Sequence, residues 1–528
     1  MVYCCKSLNN RLRRVLSTLG LLLTLSAAAQ TPQSSLDGFW DLKSVNVDGH
    51  IRHMYFEFHQ KGDVLIGRLF GRSPGGTALT GTIKDGQLSF YTLPPNFVPG
   101  TPPAYGSTAS KAVFEGSFIN GKLTIIRNTY NGEKISGLAE PATEAEATPP
   151  PPLPLPTPKS VPGNGLVRTP PMGWNSWNRF AGRIADADIR SMADAMVASG
   201  MAKLGYTYIN IDDTWQGGRN SDGTIQTNAK FPDMKALADY VHSKGLKIGI
   251  YSSPGTLTCA GYEGSSGHET QDAKTYAGWG FDYLKYDLCS ARGSYISNQA
   301  NQQGLYQKMG EALQKTGRPI VFSLCQYGEN DVWKWGAATG GNLWRTTGDI
   351  RDTWDSMDKI GFSQLAISSF TRSGHWNDPD MLEIGNGGMS AEEYRTHMSL
   401  WSMLAAPLLA GNDIRAMSPE TKSILMNQEV IAIDQDEAAR PTETLMKSGL
   451  VETLWRPLAD GSVVVGIFNR SGKHASSSLR WSELPAGLGS KKVTVRDLWK
   501  HADVPVTGSG YETEIPAHGV SLLRIAAR

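Results

Sequence analysis

Between Gly173 and Ile414 the chain alternates short apolar runs with stretches of helical period, and this alternation leaves few folds open. Tyr206–Asp213, Leu246–Ser253, Phe281–Asp287, Pro319–Gln326, Leu343–Ile350, His375–Leu382 and Pro407–Ile414 read as strands, and the stretch near Trp174 supplies a first one. Asp186–Ser199, Met234–Lys244, Gly304–Thr316 and Ala391–Ala405 carry the helical period between them. Eight such units over about 265 residues suit a (β/α)₈ barrel, whose ordinary size is ~250 residues. A doubly wound open sheet competes, but no glycine-rich phosphate loop follows the first strand.

A chain of 528 residues exceeds one ordinary core, so further domains are expected on either side of residues 169–438. Residues 36–138 are strand-like, with alternation in His53-Met54-Tyr55-Phe56-Glu57-Phe58 and two echoing segments that turn at Asp85-Gly86 and Asn120-Gly121. They read as a small all-β module, a barrel or a sandwich. A polysaccharide-binding module would expose Trp40, Tyr55 or Tyr91, whereas a folded spacer would bury them. Residues 141–162 are dense in proline and read as an extended, semi-rigid linker that does not pack and is open to proteases. Residues 440–528 return to β pattern, as in Ser462–Phe468 and Gly519–Leu523, and suggest an antiparallel sandwich.

At the N-terminus Arg11, Arg13 and Arg14 precede the apolar run Val15–Leu25, and Ala27-Ala28-Ala29 offers a cleavage site. Residues 1–29 therefore read as a signal peptide, and the mature protein is expected to be secreted or periplasmic with no membrane span after cleavage. Cys4 and Cys5 leave with that segment, and the remaining Cys259, Cys289 and Cys325 suit one bridge and one free thiol. No Cys/His spacing suggests zinc, and neither metal nor cofactor is expected. Lys and Arg number 51 against 50 Asp and Glu, so no net field favours nucleic acid.

In such a barrel the chemistry lies at the carboxyl ends of the strands. Those ends carry Asp212-Asp213, Lys285-Tyr286-Asp287, Cys325-Gln326-Tyr327, Arg345 with Asp349, and Asn377-Asp378-Pro379-Asp380. One such Asp would serve as a helix cap; several on one rim exceed that need. A ring of carboxylates among aromatics admits glycosidic cleavage, divalent metal binding, or lectin-like recognition of hydroxyls. The neighbouring Trp174, Trp177, Trp215, Trp344 and Trp376 favour sugar over metal.

At these residues the chain resembles glycoside hydrolase family 27, the melibiases or α-galactosidases. The resemblance runs from Thr169-Pro170-Pro171-Met172-Gly173-Trp174-Asn175-Ser176-Trp177 to about Asp436. It includes Ile211-Asp212-Asp213-Thr214-Trp215, Lys285-Tyr286-Asp287-Leu288-Cys289 and Trp376-Asn377-Asp378-Pro379-Asp380-Met381. It implies a retaining, exo-acting enzyme acting on terminal α-galactosides of an oligosaccharide or polysaccharide. Asp287 would be its nucleophile and Asp349, four residues after Arg345, its acid/base. The resemblance further implies that Asp212 and Asp213 grip the C6 and C4 hydroxyls, that Lys285 holds O3/O4, and that Trp177 and Tyr251 wall the pocket. Asp380 would stand near the acid/base, and Cys259 and Cys289 would form the family disulfide.

The chemistry needs Asp287 ionised, which Lys285 and Arg345 would favour, and Asp349 protonated, which Asp380 would favour. Strand five departs from many relatives, which carry Glu-Trp after the Cys where this chain has Gln326-Tyr327, and the stretch presents Cys325 and the bulky Tyr327. This pair is expected to fill the space at C2 and reject an N-acetylgalactosaminide. A β-L-arabinopyranoside, lacking the C6 arm, is the other competing glycone, and Asp212 argues against it.

Overall fold

The computed structural model describes residues 35–45, 49–70, 76–93, 112–128, 134–292, 294–484, 492–506 and 508–527. The expected signal peptide lies outside the described residues.

The catalytic region is a TIM-like sheet of eight parallel strands: Met172–Asn175, Tyr208–Asn210, Lys247–Ser252, Tyr283–Asp287, Val321–Cys325, Leu343–Arg345, Trp376–Asp378 and Leu408–Ala410. Strand eight pairs with strand one, and a parallel bridge from Leu382 to Ala410 brings strands seven and eight together. The strands are shorter than the apolar runs suggested, because the residues beyond their carboxyl ends leave the ladder to form the rim. Helices Asp186–Ala198, Met234–Ser243, Gln299–Lys315 and Ala391–Leu404 fall where the period placed them, and Glu269–Trp279 is an additional helix.

Strand pleating sorts these residues into layers. The starts of the strands close the floor with Tyr208, Tyr283, Val321, Leu343 and Trp376, all buried in one apolar cluster. Two residues further along each strand, the same inward face carries Asn210, Lys285, Ser323, Arg345 and Asp378. The intervening Tyr286, Phe322 and Leu324 turn outward into the main core under the helices. This two-residue period gives the barrel an apolar floor and a polar top.

The N-terminal module is a closed barrel of eight antiparallel strands, from Gly38–Val45 to Lys134–Ala142. Both echoing segments are two-residue hairpins, with positive φ at Asp85, Gly86, Asn120 and Gly121, as a type I′ turn demands. Its interior is aromatic: Phe56, Phe58, Phe90 and Phe114 meet edge-on or stacked, and Trp40 is fully buried, with its indole N–H donating to the Leu36 carbonyl. Trp40 is thus a core residue and not a sugar platform; Tyr55 and Tyr91 are half-buried.

The proline-rich segment corrects the expectation of an unpacked linker. Pro141 and Ala142 complete the last strand of the small barrel, and a helical turn, Glu144–Ala147, follows. The remainder is a strap down the outside of the catalytic barrel. The Leu153 carbonyl accepts from the Tyr295 hydroxyl, Leu155 packs on the main core, and the Lys159 amide donates to Gln307. Val161 forms a bridge to Thr339, and the Asn164 side chain then donates to the Ile320 carbonyl under the floor. Proline cannot join a ladder, but a strap held through carbonyls and side chains does not need one.

The C-terminal region packs a six-stranded antiparallel sheet with a two-stranded one, Ala475–Arg480 and Gly510–Ile515, around Val465, Ile467, Leu479, Ile515 and Leu523. Its strand Val463–Asn469 also lies against the helix Ala391–Leu404.

Candidate active site

Strand four sits between strands three and five, with Tyr251 opposite Lys285 and Asp287 opposite Cys325. Lys285 and Asp287, two apart, therefore share the inward face. The Lys285 ammonium lies 2.8 Å from Asp212, over the Tyr251 ring at 5.4 Å. Asp212 also accepts from the Asn175 amide at 2.9 Å and is almost fully buried. Burial opposes the charge on Lys285, but Asp212, Cys325 and Asp287 around it hold its pKa well above the usual value.

Asp213, the residue after Asp212, is held by backbone donors. Its carboxylate accepts from the Thr214 amide at 2.7 Å and from the Ala260 amide at 2.8 Å. Burial pushes its pKa up to about 7, against those hydrogen bonds. Thr214 adopts φ of 82°, a left-handed conformation costly for a β-branched residue, to make this turn.

Asp287 is buried and accepts a 2.7 Å hydrogen bond from the Tyr327 hydroxyl. Tyr327, itself at positive φ, carries the Arg292 guanidinium over its ring at 4.5 Å. Beside strand four, Cys259 and Cys289 form a disulfide as the resemblance implied, and the Tyr251 hydroxyl donates to Cys289 at 3.1 Å. Cys325 is free and buried, with Arg345 donating to its sulfur at 3.7 Å.

Arg345 is the hub of the opposite wall. It lies 3.1 Å from Asp349 and 3.0 Å from Asp380. Asp380 is buried, accepts from the Ile350 amide, and has its pKa pushed up to about 6 by burial despite the guanidinium. Asp349 stands at the mouth with its side chain 69% exposed.

The charge balance differs from the expected one. Burial raises the Asp287 pKa more than Lys285 and Tyr327 lower it. Asp349 is pushed up by its partial burial but pulled further down by Arg345 and Lys285, and ends below the usual carboxylate range. The reason is placement: Arg345 bonds to Asp349 and Asp380, not to Asp287.

Trp177 lies half-buried just after strand one, its amide donating to Asn175. Asn175 and Asp378 were given no role from sequence, yet with Lys285, Ser323, Arg345 and Asp380 they line a small cavity on the barrel axis. That cavity lies beneath the pocket mouth and includes neither Asp287 nor Asp349. The available signal for Asn175 was a polar residue closing an apolar strand.

A parallel barrel that gathers carboxylates, a lysine and an arginine on one rim, with Tyr251 and Tyr327 beside them, has the layout of a glycoside hydrolase. Comparison with known proteins agrees. A family model described as alpha galactosidase A matches residues 169–436, and one described as the alpha galactosidase C-terminal beta sandwich domain matches residues 448–525. The chain is similar to an alpha-galactosidase of Cyamopsis tetragonoloba, 47% identical over 69% of this chain and 88% of that one. It is also similar to alpha-galactosidase A of Cellvibrio japonicus, 43% identical over 69% of this chain and 93% of that one. The crystal structure of alpha-galactosidase I from Mortierella vinacea superposes with a TM-score of 0.66 at 40% identity, covering 69% of this chain and 99% of that one. The chain belongs to the α-galactosidase family, glycoside hydrolase family 27, and is an enzyme of that class. The family models leave the N-terminal barrel and strap unmatched.

Proposed function

We propose that the chain is a retaining, exo-acting α-galactosidase. Asp287 attacks the anomeric carbon while Asp349 protonates the departing glycosidic oxygen, and the bond to the aglycone breaks as a galactosyl ester forms on Asp287. Asp349, now a base, takes a proton from water, whose oxygen displaces Asp287 and releases galactose with its configuration retained.

The observation that carries this reading is the contrast between two carboxylates of one pocket. Asp287 is enclosed and held by Tyr327, whereas Asp349 stands at the mouth where a leaving group exits and water enters. Substrate filling the mouth would remove water from Asp349 and raise its pKa towards the protonated form that an acid needs. Asp212 and Asp213 close the far end, so a sugar continued beyond O4 or O6 would meet a wall. Cys325 and the bulky Tyr327 would fill the space beside C2, which favours galactosides over N-acetylgalactosaminides. The basic and apolar N-terminal pattern, together with the disulfide, supports export to a secreted or periplasmic location.

The test is a panel of nitrophenyl glycosides followed by NMR of the first-formed sugar. Turnover of the α-galactoside with α-galactose appearing first is expected. β-Galactose first, or equal kcat/KM on the N-acetylgalactosaminide, would overturn retention or the glycone assignment respectively.

A further inference from the structure

The small barrel touches the catalytic barrel at a turn that the active site depends on. Thr258 to Tyr262 is a tight turn, closed by the Tyr262 amide on the Thr258 hydroxyl at 3.0 Å and by the Thr258 amide on the Tyr262 carbonyl at 2.8 Å. Its middle residues serve the site directly: Cys259 is bonded to Cys289, and the Ala260 amide holds one oxygen of Asp213. Gly261, at φ of 89°, turns its carbonyl outward.

His50, from the N-terminal barrel, covers this turn from outside. Its Nε2 lies 3.0 Å from the Gly261 carbonyl, and its ring stacks on Tyr262 with centroids 4.0 Å apart and planes 17° apart. Arg52 lies alongside Gly261, where an added Cβ would come within 3.4 Å of its side chain. Tyr262 is 2% exposed, and the Lys230 ammonium lies 5.8 Å from its ring centroid. Lys230 also donates to the Thr214 hydroxyl at 2.9 Å, and the Thr214 amide holds the second oxygen of Asp213. Both amide donors to Asp213 thus connect to the one ring on which His50 rests.

We propose that the N-terminal barrel is a working part of the galactoside site, and that His50 is a positioning residue which fixes the turn holding Asp213. This rests on the reading of Asp213 as a grip on the glycone hydroxyls. A slack turn would loosen an Asp213 amide donor, whereas Cys259, which lies 3.7 Å from the Tyr327 hydroxyl beside Asp287, stays tied to Cys289 by the disulfide. Ground-state binding would then suffer more than the chemical step. The expected cost is that of one weakened hydrogen bond to a charged group, about three- to tenfold.

The test uses the full chain with His50→Ala and His50→Gln. Wild-type and variants are compared for KM and kcat on nitrophenyl α-galactoside, and for hydrogen exchange of peptides covering residues 256–265. In His50→Ala we expect KM to rise about three- to tenfold with kcat within about twofold, and exchange in the turn to quicken. His50→Gln, which keeps a donor for Gly261, should recover part of both. Unchanged KM in a folded His50→Ala protein overturns the proposal, whether or not exchange quickens; so does unchanged exchange. If the wild-type enzyme prefers another glycoside of the panel, the same comparison is made on that substrate, and only the glycone assignment falls.

Discussion

Two eight-stranded barrels in one chain differ chiefly in strand direction, and the difference decides which one does chemistry. In the antiparallel N-terminal barrel, turns alternate between the two ends, so no end collects the carboxyl termini. Its interior is filled by Trp40, four phenylalanines and aliphatic residues such as Leu42, Leu65 and Ile125. In the parallel barrel every strand ends on the same rim, and inward positions there hold Asn210, Lys285, Asp287, Arg345 and Asp378. The same alternation of side chains closes one barrel with aromatics and opens the other with charge. The meeting of the two at Tyr262 shows that the closed barrel still reaches the rim of the open one.

Substitutions should separate the two barrels, the rim losing rate and the small core losing stability. Asp287→Ala is expected to reduce kcat by several orders of magnitude, while circular dichroism and melting remain near wild type. A strand-end carboxylate facing a pocket contributes little to packing. Trp40→Ala should do the reverse to its own barrel, costing about 3–5 kcal/mol of its stability. Calorimetry should show the transition of the small barrel separating to lower temperature. If Asp287→Ala unfolds the protein, or Trp40→Ala melts unchanged, the division between rim and core is wrong.

Tyr327→Phe is a finer probe of the rim. The Tyr327 hydrogen bond lowers the pKa of Asp287, which burial raises. Its loss should leave less Asp287 ionised at low pH, so the acid limb of the kcat/KM profile moves to higher pH. The alkaline limb should move little, since burial and Arg345, not Tyr327, set Asp349. An acid limb that stays put would show that Tyr327 does not tune the nucleophile.

Smallest is the effect of Glu383, which lies beyond strand seven and accepts from the Asn178 and Asn386 side chains. Burial raises its pKa from the ordinary 4.5 to about 7. Between those values the folded state binds the proton that the unfolded state has lost. Its contribution is therefore fully present below 4.5 and is lost as pH rises to 7. Glu383→Gln should make the fall of unfolding free energy with pH across that window shallower, by at most about 1.4 kcal/mol per pH unit, as read from denaturant titrations. An unchanged slope would place the titration elsewhere.

Much of this was legible in the sequence because barrel chemistry is written locally. Lys285-Tyr286-Asp287 and Asp212-Asp213 name the strand, its end and its face together, and Asp85-Gly86 names its own hairpin. The strap was misread because proline density describes what the segment itself cannot donate, not the Gln307, Tyr295 and Thr339 groups that hold it. The same limit hid His50, which meets its partner turn across 211 residues with no local pattern to announce it. The different electrostatic settings of Asp287 and Asp349 were not legible for a related reason. Sequence places Arg345 near both, and only geometry shows that it bonds to Asp349 and Asp380.

The central claim is that Asp287 carries the galactosyl group between two displacements, and covalent trapping tests it most directly. The enzyme is treated with a 5-fluoro-α-galactosyl fluoride, which forms the ester but slows its hydrolysis, and the digested protein is mapped by mass spectrometry. We expect one added fluorogalactosyl group per chain, on Asp287 in the peptide containing Lys285 to Cys289. An adduct on Asp349, or inactivation with no adduct on any carboxylate of the rim, would contradict it.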